Sequence, residues 1–119
     1  MTKKTILTVD DDPNIRDYLE AVFTDNGYNV VLAENGDKAL EILKDLRPDL
    51  ITLDVEMPDK SGPWVGRAIQ KDTSLATIPI VVITGHSELT YIIPKAAAFL
   101  AKPFEADEVV RVVRGILGE

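Results

Sequence analysis

The sequence has no cysteine. Disulfides, cysteine-ligated zinc and thiol nucleophiles are therefore excluded. It is poor in basic residues, with 13 Lys and Arg against 20 Asp and Glu and a formal net charge of −7. A protein that grips a phosphate backbone carries a basic face, so no direct nucleic-acid partner is expected. No apolar run approaches the roughly 18 residues of a membrane helix, and the start, Met-Thr-Lys-Lys, is not a signal peptide. No membrane partner and a cytoplasmic location are expected. Internal repeats, linkers and low-complexity stretches are also missing. What is present is one domain's length of chain, residues 1–119, with 45% hydrophobic residues. A chain of this size buries roughly two-thirds of its unfolded surface.

The acidity is unevenly composed, since 12 of the 20 acidic residues are aspartate. Aspartate favours caps, turns and sites over helical surfaces. Its placement therefore carries information.

Five short apolar runs, 6–9, 29–33, 50–53, 80–83 and 99–101, are continuous rather than alternating. Such runs suit strands covered on both faces. Helical stripes lie between and after them: Ile15, Leu19, Val22 and Phe23; Ala39, Leu40, Leu43 and Leu46; Val65, Ala68 and Ile69; Val109, Val113, Ile116 and Leu117. Asp12-Pro13 reads as an N-cap with proline at the first helical position. Asn26-Gly27 reads as a helix stop. Asn35-Gly36 turns the second strand into the second helix, Pro48 closes that helix, and Pro63 suits the first turn of the third. Strand–helix alternation at this spacing predicts a doubly wound, five-stranded parallel sheet with helices on both faces. The fourth helix, between Thr84 and Phe99, is damaged. Ser87-Glu88-Leu89 can start a helix, but Pro94 follows too soon. It is expected to be short, remodelled or absent.

In an open parallel sheet, ligands bind at the carboxyl ends of the strands. Asp10 and Asp11 follow the first strand, Asp54 the third, Thr84 the fourth and Lys102 the fifth. A single aspartate after a strand is ordinarily a cap, but four of five strands delivering a polar group to one edge is a different pattern. Converging carboxylates repel and raise one another's pKa values, so they call for a cation. An oxygen-only donor set favours a hard divalent ion, magnesium where phosphate is also a ligand. Carboxylates, metal, the Lys102 ammonium and the Thr84 hydroxyl together suit phosphoryl transfer.

These residues sit in Ile6-Leu7-Thr8-Val9-Asp10-Asp11-Asp12-Pro13, in Asp49-Leu50-Ile51-Thr52-Leu53-Asp54-Val55-Glu56-Met57-Pro58 with Gly62, in Val81-Val82-Ile83-Thr84-Gly85 and in Lys102-Pro103-Phe104. In that order and spacing the chain resembles the receiver (CheY-like) domain of two-component response regulators, from Lys3 to Leu117. The resemblance implies a flavodoxin-like sheet of order 2-1-3-4-5. It implies that Asp54 accepts a phosphoryl group from a phosphohistidine on a sensor histidine kinase or a histidine phosphotransfer protein. Asp11, Asp54 and the backbone carbonyl of Glu56 would be direct magnesium ligands and Asp10 a ligand through water, with manganese able to substitute. Lys102 would pair with Asp54 and later with the phosphoryl oxygens, and Thr84 would bond one of them. Gly85 would leave the acceptor accessible. Lys102-Pro103 matches a bond often cis in the family. Phe99 holds the place of an aromatic switch that turns inward as Thr84 moves, the alternative being an ordinary core aromatic. Glu56 and His86 hold the positions that tune dephosphorylation. Asn14 and Tyr18 on the first helix would meet the kinase. The face around the fifth strand and last helix would switch for an unknown downstream protein target. The domain would signal without turning over a substrate of its own.

The chain departs from the family pattern between Thr84 and Lys102. That gap is about four residues, roughly one helical turn, shorter than usual, and Lys95-Ala96 replaces the Gly-Ala before the fifth strand. Some stand-alone receivers share such a shortened fourth helix. Trp64, where a polar residue is common, either covers a loop or anchors a partner. Other readings are an aspartate-nucleophile phosphatase built on Asp54-Val55-Glu56, a phosphorylation-independent docking domain, and a receiver belonging to a larger regulator. A calcium loop from Asp10 fails, because Ile15 fills the glycine position and Ala21 the bidentate-acid position.

Overall fold

The structure is a computed structural model, and it describes residues 3–55, 62–85, 93 and 95–119. Among the described residues, five strands form one parallel sheet. They are β1 (Thr5–Val9), β2 (Asn29–Ala33), β3 (Leu50–Asp54), β4 (Ile80–Thr84) and β5 (Ala98–Ala101). Their order is β2-β1-β3-β4-β5, as the sequence leads one to expect. Four helices accompany them: α1 (Pro13–Asp25), α2 (Gly36–Ile42), α3 (Gly62–Lys71) and α4 (Ala106–Leu117).

The helix signals act locally as read. The Asp12 carboxylate accepts from the Asn14 amide at 2.9 Å, and Pro13 opens α1 where no amide donor is needed. Asn26 is the C-cap, and Gly27 follows at φ 92°, the left-handed conformation that glycine adopts without penalty. Asn35 caps α2 by accepting from the Lys38 amide at 2.8 Å.

The second helix is shorter than its stripe suggests. It ends at Ile42 instead of running to Pro48, and Lys44 and Asp45 bond back only three residues, to Glu41 and Ile42. The guanidinium of Arg47 donates to the carbonyls of Leu43 and Leu46, taking two acceptors that further helical turns would use.

Between β4 and β5, Gly85, Ile93 and residues 95–97 are described and none is helical. Ser87, Glu88, Leu89 and Pro94, on which the reading of the fourth helix rests, lie outside the described residues.

The sheet separates two apolar layers. Leu7, Val9, Ile51, Leu53, Ile80 and Val82 face α2 and α3, meeting Ala39, Leu43, Val65 and Ile69. Ile6, Leu50, Val81, Ile83 and Leu100 face α1 and α4, meeting Leu19, Phe23, Val109 and Val113. Alternate residues of a strand point to opposite faces, so a strand buried on both sides reads as one unbroken apolar run. That holds for β3 and β4, where every residue is buried. The expectation of double coverage fails for β2 and β5. These are the sheet's edges, where Asn29, Phe99 and Ala101 are exposed. Each fully buried large aliphatic side chain contributes roughly 1.5–3 kcal/mol.

Candidate functional site

All five strands run the same way, so their carboxyl ends share one edge. In such a sheet the ligand crevice opens where the strand order reverses, here between β1 and β3. Asp10 follows β1, and Asp54 is the last residue of β3. The β1–β3 register runs from Ile6↔Leu50 to Val9↔Leu53, and one further step sets Asp10 opposite Asp54. Thr84 ends β4, and its carbonyl accepts from the amide of Lys102 at 2.9 Å. The Lys102-Pro103 bond is cis.

Two carboxylates facing each other across a sheet repel. The ammonium of Lys102 lies between them, with Nζ 3.5 Å from Asp10 Oδ2 and 3.4 Å from Asp54 Oδ2. Asp10, Asp54 and Thr84 are buried, at 1%, 3% and 2% exposure. Asp11 is exposed, yet one oxygen each from Asp10, Asp11 and Asp54 lie within 4.8 Å of one another. Burial pushes the Asp10 carboxyl up to about 6. The Asp12 amide opposes this shift, the charge of Asp54 adds to it and Lys102 again opposes it.

Asp10 Oδ1 accepts from the Asp12 amide at 3.0 Å. Among the described residues its buried Oδ2 makes no hydrogen bond and meets only the longer 3.5 Å contact with the Lys102 ammonium. A buried carboxylate oxygen left without a donor costs free energy unless a cation supplies the missing interaction. Three clustered carboxylates, one of them open to solvent, carry more negative charge than the Lys102 ammonium offsets, and with one buried oxygen lacking a hydrogen bond they fit a hard divalent cation such as magnesium.

The loop that carries Asp10 and Asp11 is clamped from α1. Arg16 Nη1 donates to the Asp10 carbonyl at 2.7 Å, and the Arg16 amide donates to the Asp12 carbonyl at 3.0 Å. Sequence reasoning passed over Arg16. Its signal was its place four residues after the capping Asp12, on the turn that leaves the site. A buried hydroxyl pair behind the acids, Thr8 and Thr52, was passed over as well.

The structure thus brings together Asp10, Asp11, Asp54, Thr84 and Lys102. Glu56, Met57 and Pro58 lie outside the described residues, as does His86. Phe99 is on β5 opposite Val82 and is 43% exposed. An ordinary core aromatic is thereby excluded. Trp64, in the first turn of α3, is 41% exposed, and Tyr18 on α1 is 42% exposed with its ring 6.1 Å from that of Phe104.

A family model described as "Response regulator receiver domain" matches residues 6–114. The chain belongs to that family. Membership makes it a phospho-accepting signalling module and not a conventional metabolic enzyme. The receiver is 32% identical over 119 residues to the DNA-binding response regulator MtrA of Mycolicibacterium smegmatis, covering 97% of this chain and 51% of that one. It spans about half the length of the first curated relatives it matches. Among solved structures it superposes on the chemotaxis response regulator CheY4 of Vibrio cholerae with a TM-score of 0.90 at 28% identity, covering 97% and 99% of the two chains. It superposes on TrrA of Thermotoga maritima, solved in complex with Mg(2+)-BeF, with a TM-score of 0.86 at 35% identity over 95% and 98%. No helix among the described residues is long and apolar enough to cross a membrane.

Proposed function

We propose that Asp54 is the phosphoryl acceptor of this receiver and that the donor is a phosphohistidine on a sensor histidine kinase or a histidine phosphotransfer protein. The observation that carries the assignment is the position of Lys102, whose ammonium bridges Asp10 and Asp54 at the crevice. A carboxylate held this way is a competent nucleophile toward an in-line phosphorus. As the new P–O bond forms and the P–N bond of the donor breaks, Lys102 exchanges part of its pairing with Asp54 for the incoming phosphoryl oxygens. The Thr84 hydroxyl, at the end of the neighbouring strand, donates to one of those oxygens. Gly85, beside it and exposed, keeps the approach open.

Asp11 and Asp54 would hold a magnesium ion directly, with Asp10 acting through water. By the family resemblance the carbonyl of Glu56 completes the set, and manganese can substitute. When bound, the ion supplies positive charge that offsets the clustered carboxylates and the transferring group. In this reading Phe99 follows Thr84 inward on phosphorylation and changes the face around β5 and α4 for a protein partner. Glu56 and His86 tune loss of the phosphoryl group, and Asn14 and Tyr18 contact the kinase. The place of action is the cytoplasm, with neither nucleic acid nor membrane contacted directly by this domain and no independent substrate turned over.

The test is labelling with a small acyl phosphate. The parent protein takes up one phosphoryl group in the presence of magnesium and none after chelation, and Asp54→Asn takes up none. Uptake by Asp54→Asn at unchanged stoichiometry overturns the assignment. Steady hydrolysis of a generic phosphate ester with no adduct on Asp54 supports a phosphatase instead.

A further inference from the structure

The buried polar side chains among the described residues are Thr8, Asp10, Thr52, Asp54 and Thr84. Asp10, Asp54 and Thr84 belong to the crevice described above. Thr8 and Thr52 are 0% and 1% exposed, and Thr52 Oγ1 lies 3.1 Å from Thr8 Oγ1. They are register partners on β1 and β3. Each precedes an acid by two residues, in Thr8-Val9-Asp10 and Thr52-Leu53-Asp54. Residues two apart on a strand share a face, so the hydroxyl pair forms the rung directly behind the carboxylate pair.

The surroundings of this rung are otherwise apolar. One step further back the same face carries Ile6 and Leu50, and beside them stand Val81, Ile83 and Leu100. Valine has nearly the shape of threonine and would fill these two places without desolvating a hydroxyl. Packing therefore does not call for threonine. The hydrogen bonding does have a use. Two hydroxyls carry two O–H donors, and their mutual bond consumes one. That bond is the only hydrogen bond either side chain makes among the described residues. The second donor lies on the same face of β1 as Asp10 Oδ2, two residues on, a buried acceptor that makes no hydrogen bond among the described residues and has the Lys102 ammonium 3.5 Å away.

We propose that Thr8 and Thr52 are positioning residues for the divalent-cation site. The inference rests on the reading of Asp10, Asp11 and Asp54 as that site. The hydroxyl bond ties β1 to β3 one rung behind the acids and fixes how far apart and at what angle Asp10 and Asp54 leave the sheet. The remaining O–H donor presents a polar floor to carboxylates that would otherwise stand on hydrocarbon. Groups that orient metal ligands in this way typically govern affinity by roughly 10- to 100-fold.

The experiment is isothermal titration calorimetry with magnesium chloride on the parent, Thr8→Val, Thr52→Val and the double variant. Thermal midpoints are measured without metal alongside. Each single valine is expected to weaken magnesium binding by roughly 10-fold. The double variant is expected to be no weaker than the weaker single, because the two hydroxyls act as one unit. Thr8→Ser and Thr52→Ser restore affinity, since serine returns the hydroxyl without the methyl group. Valine variants that bind magnesium as the parent does, with only their metal-free midpoints displaced, assign the pair to packing and overturn the proposal. Costs that multiply in the double variant overturn the shared action. A parent that shows no magnesium binding overturns the metal site itself, and the inference with it.

Discussion

Gly66 of α3 and Ile93 of the β4–β5 connection are in such close contact that a Cβ added to the glycine would lie 2.7 Å from Ile93 Cδ1 and 3.0 Å from Cγ1. Ile93 is 1% exposed and belongs to the core layer shared with α2 and α3. Its Cδ1 is the outer end of the side chain, but Ile93 is closed off from solvent, so making room means moving within the core. In Gly66→Ala, helix propensity adds up to about 1 kcal/mol, and overpacking subtracts about 1–3 kcal/mol. A net loss of about 1 kcal/mol is expected. Ile93→Val removes the atom in closest contact, so Gly66→Ala should cost less in that background. Urea midpoints of the four proteins check this. Costs that simply add within about 0.5 kcal/mol would show that the contact is not the cause.

Gly115 gives the opposite outcome. It lies inside α4, and a Cβ there would meet nothing within 4 Å. Gly115→Ala keeps the backbone conformation and removes freedom from the unfolded chain. A gain of about 0.5–1 kcal/mol is expected, read as a rise of a few degrees in thermal midpoint.

Lys95 has φ 63°, the left-handed region that disfavours a side chain. Lys95→Gly should therefore stabilise the protein by about 0.5–1 kcal/mol, despite the entropy glycine adds to the unfolded state. A lower urea midpoint in this variant would contradict the strain.

Asp10 sets a pH dependence for the metal-free protein. Its carboxyl is raised from 3.8 to about 6, chiefly by burial. Between those values the folded state holds the proton more often than the unfolded state does, so the contribution of Asp10 to stability falls as pH rises through this window. Above about pH 6 the whole penalty is present, on the order of 3 kcal/mol. Asp10→Asn should be more stable than the parent at pH 7 without metal, the difference closing toward pH 4. Chemical denaturation at both pH values reads it directly.

Lys102 is the counter-charge to both buried acids. Removing one partner of a buried ion cluster leaves the others uncompensated, which costs more than the pairing itself contributes. Lys102→Met should destabilise the metal-free protein at pH 7 by about 2 kcal/mol or more. Millimolar magnesium should recover part of the loss, and acidification to pH 4 should shrink it. A thermal midpoint equal to the parent's at pH 7 would sink the bridging role.

The sequence carried the local physics of this fold. Asp12-Pro13, Asn26-Gly27 and Asn35-Gly36 act through their own backbone and nearest neighbours, so the helix termini they mark are legible without tertiary contacts. The unbroken apolar runs at Leu50–Leu53 and Ile80–Ile83 report burial on both faces, and in β3 and β4 that reading holds. The spacing of Asp10, Asp54, Thr84 and Lys102 after strands was enough to assign them to one edge.

Other features depend on which strand lies beside which. The apolar runs of β2 and β5 look like those of β3 and β4, and only the strand order makes them edges that leave Phe99 exposed. The end of α2 at Ile42 depends on Arg47 reaching back to carbonyls the periodicity would have counted as helical. The bridging of Asp10 and Asp54 by Lys102 joins three strands distant in sequence. The Thr8–Thr52 bond has the same origin. Each threonine reads by itself as an ordinary β-branched strand residue, and the pairing of β1 with β3 makes the two of them the floor beneath the acids.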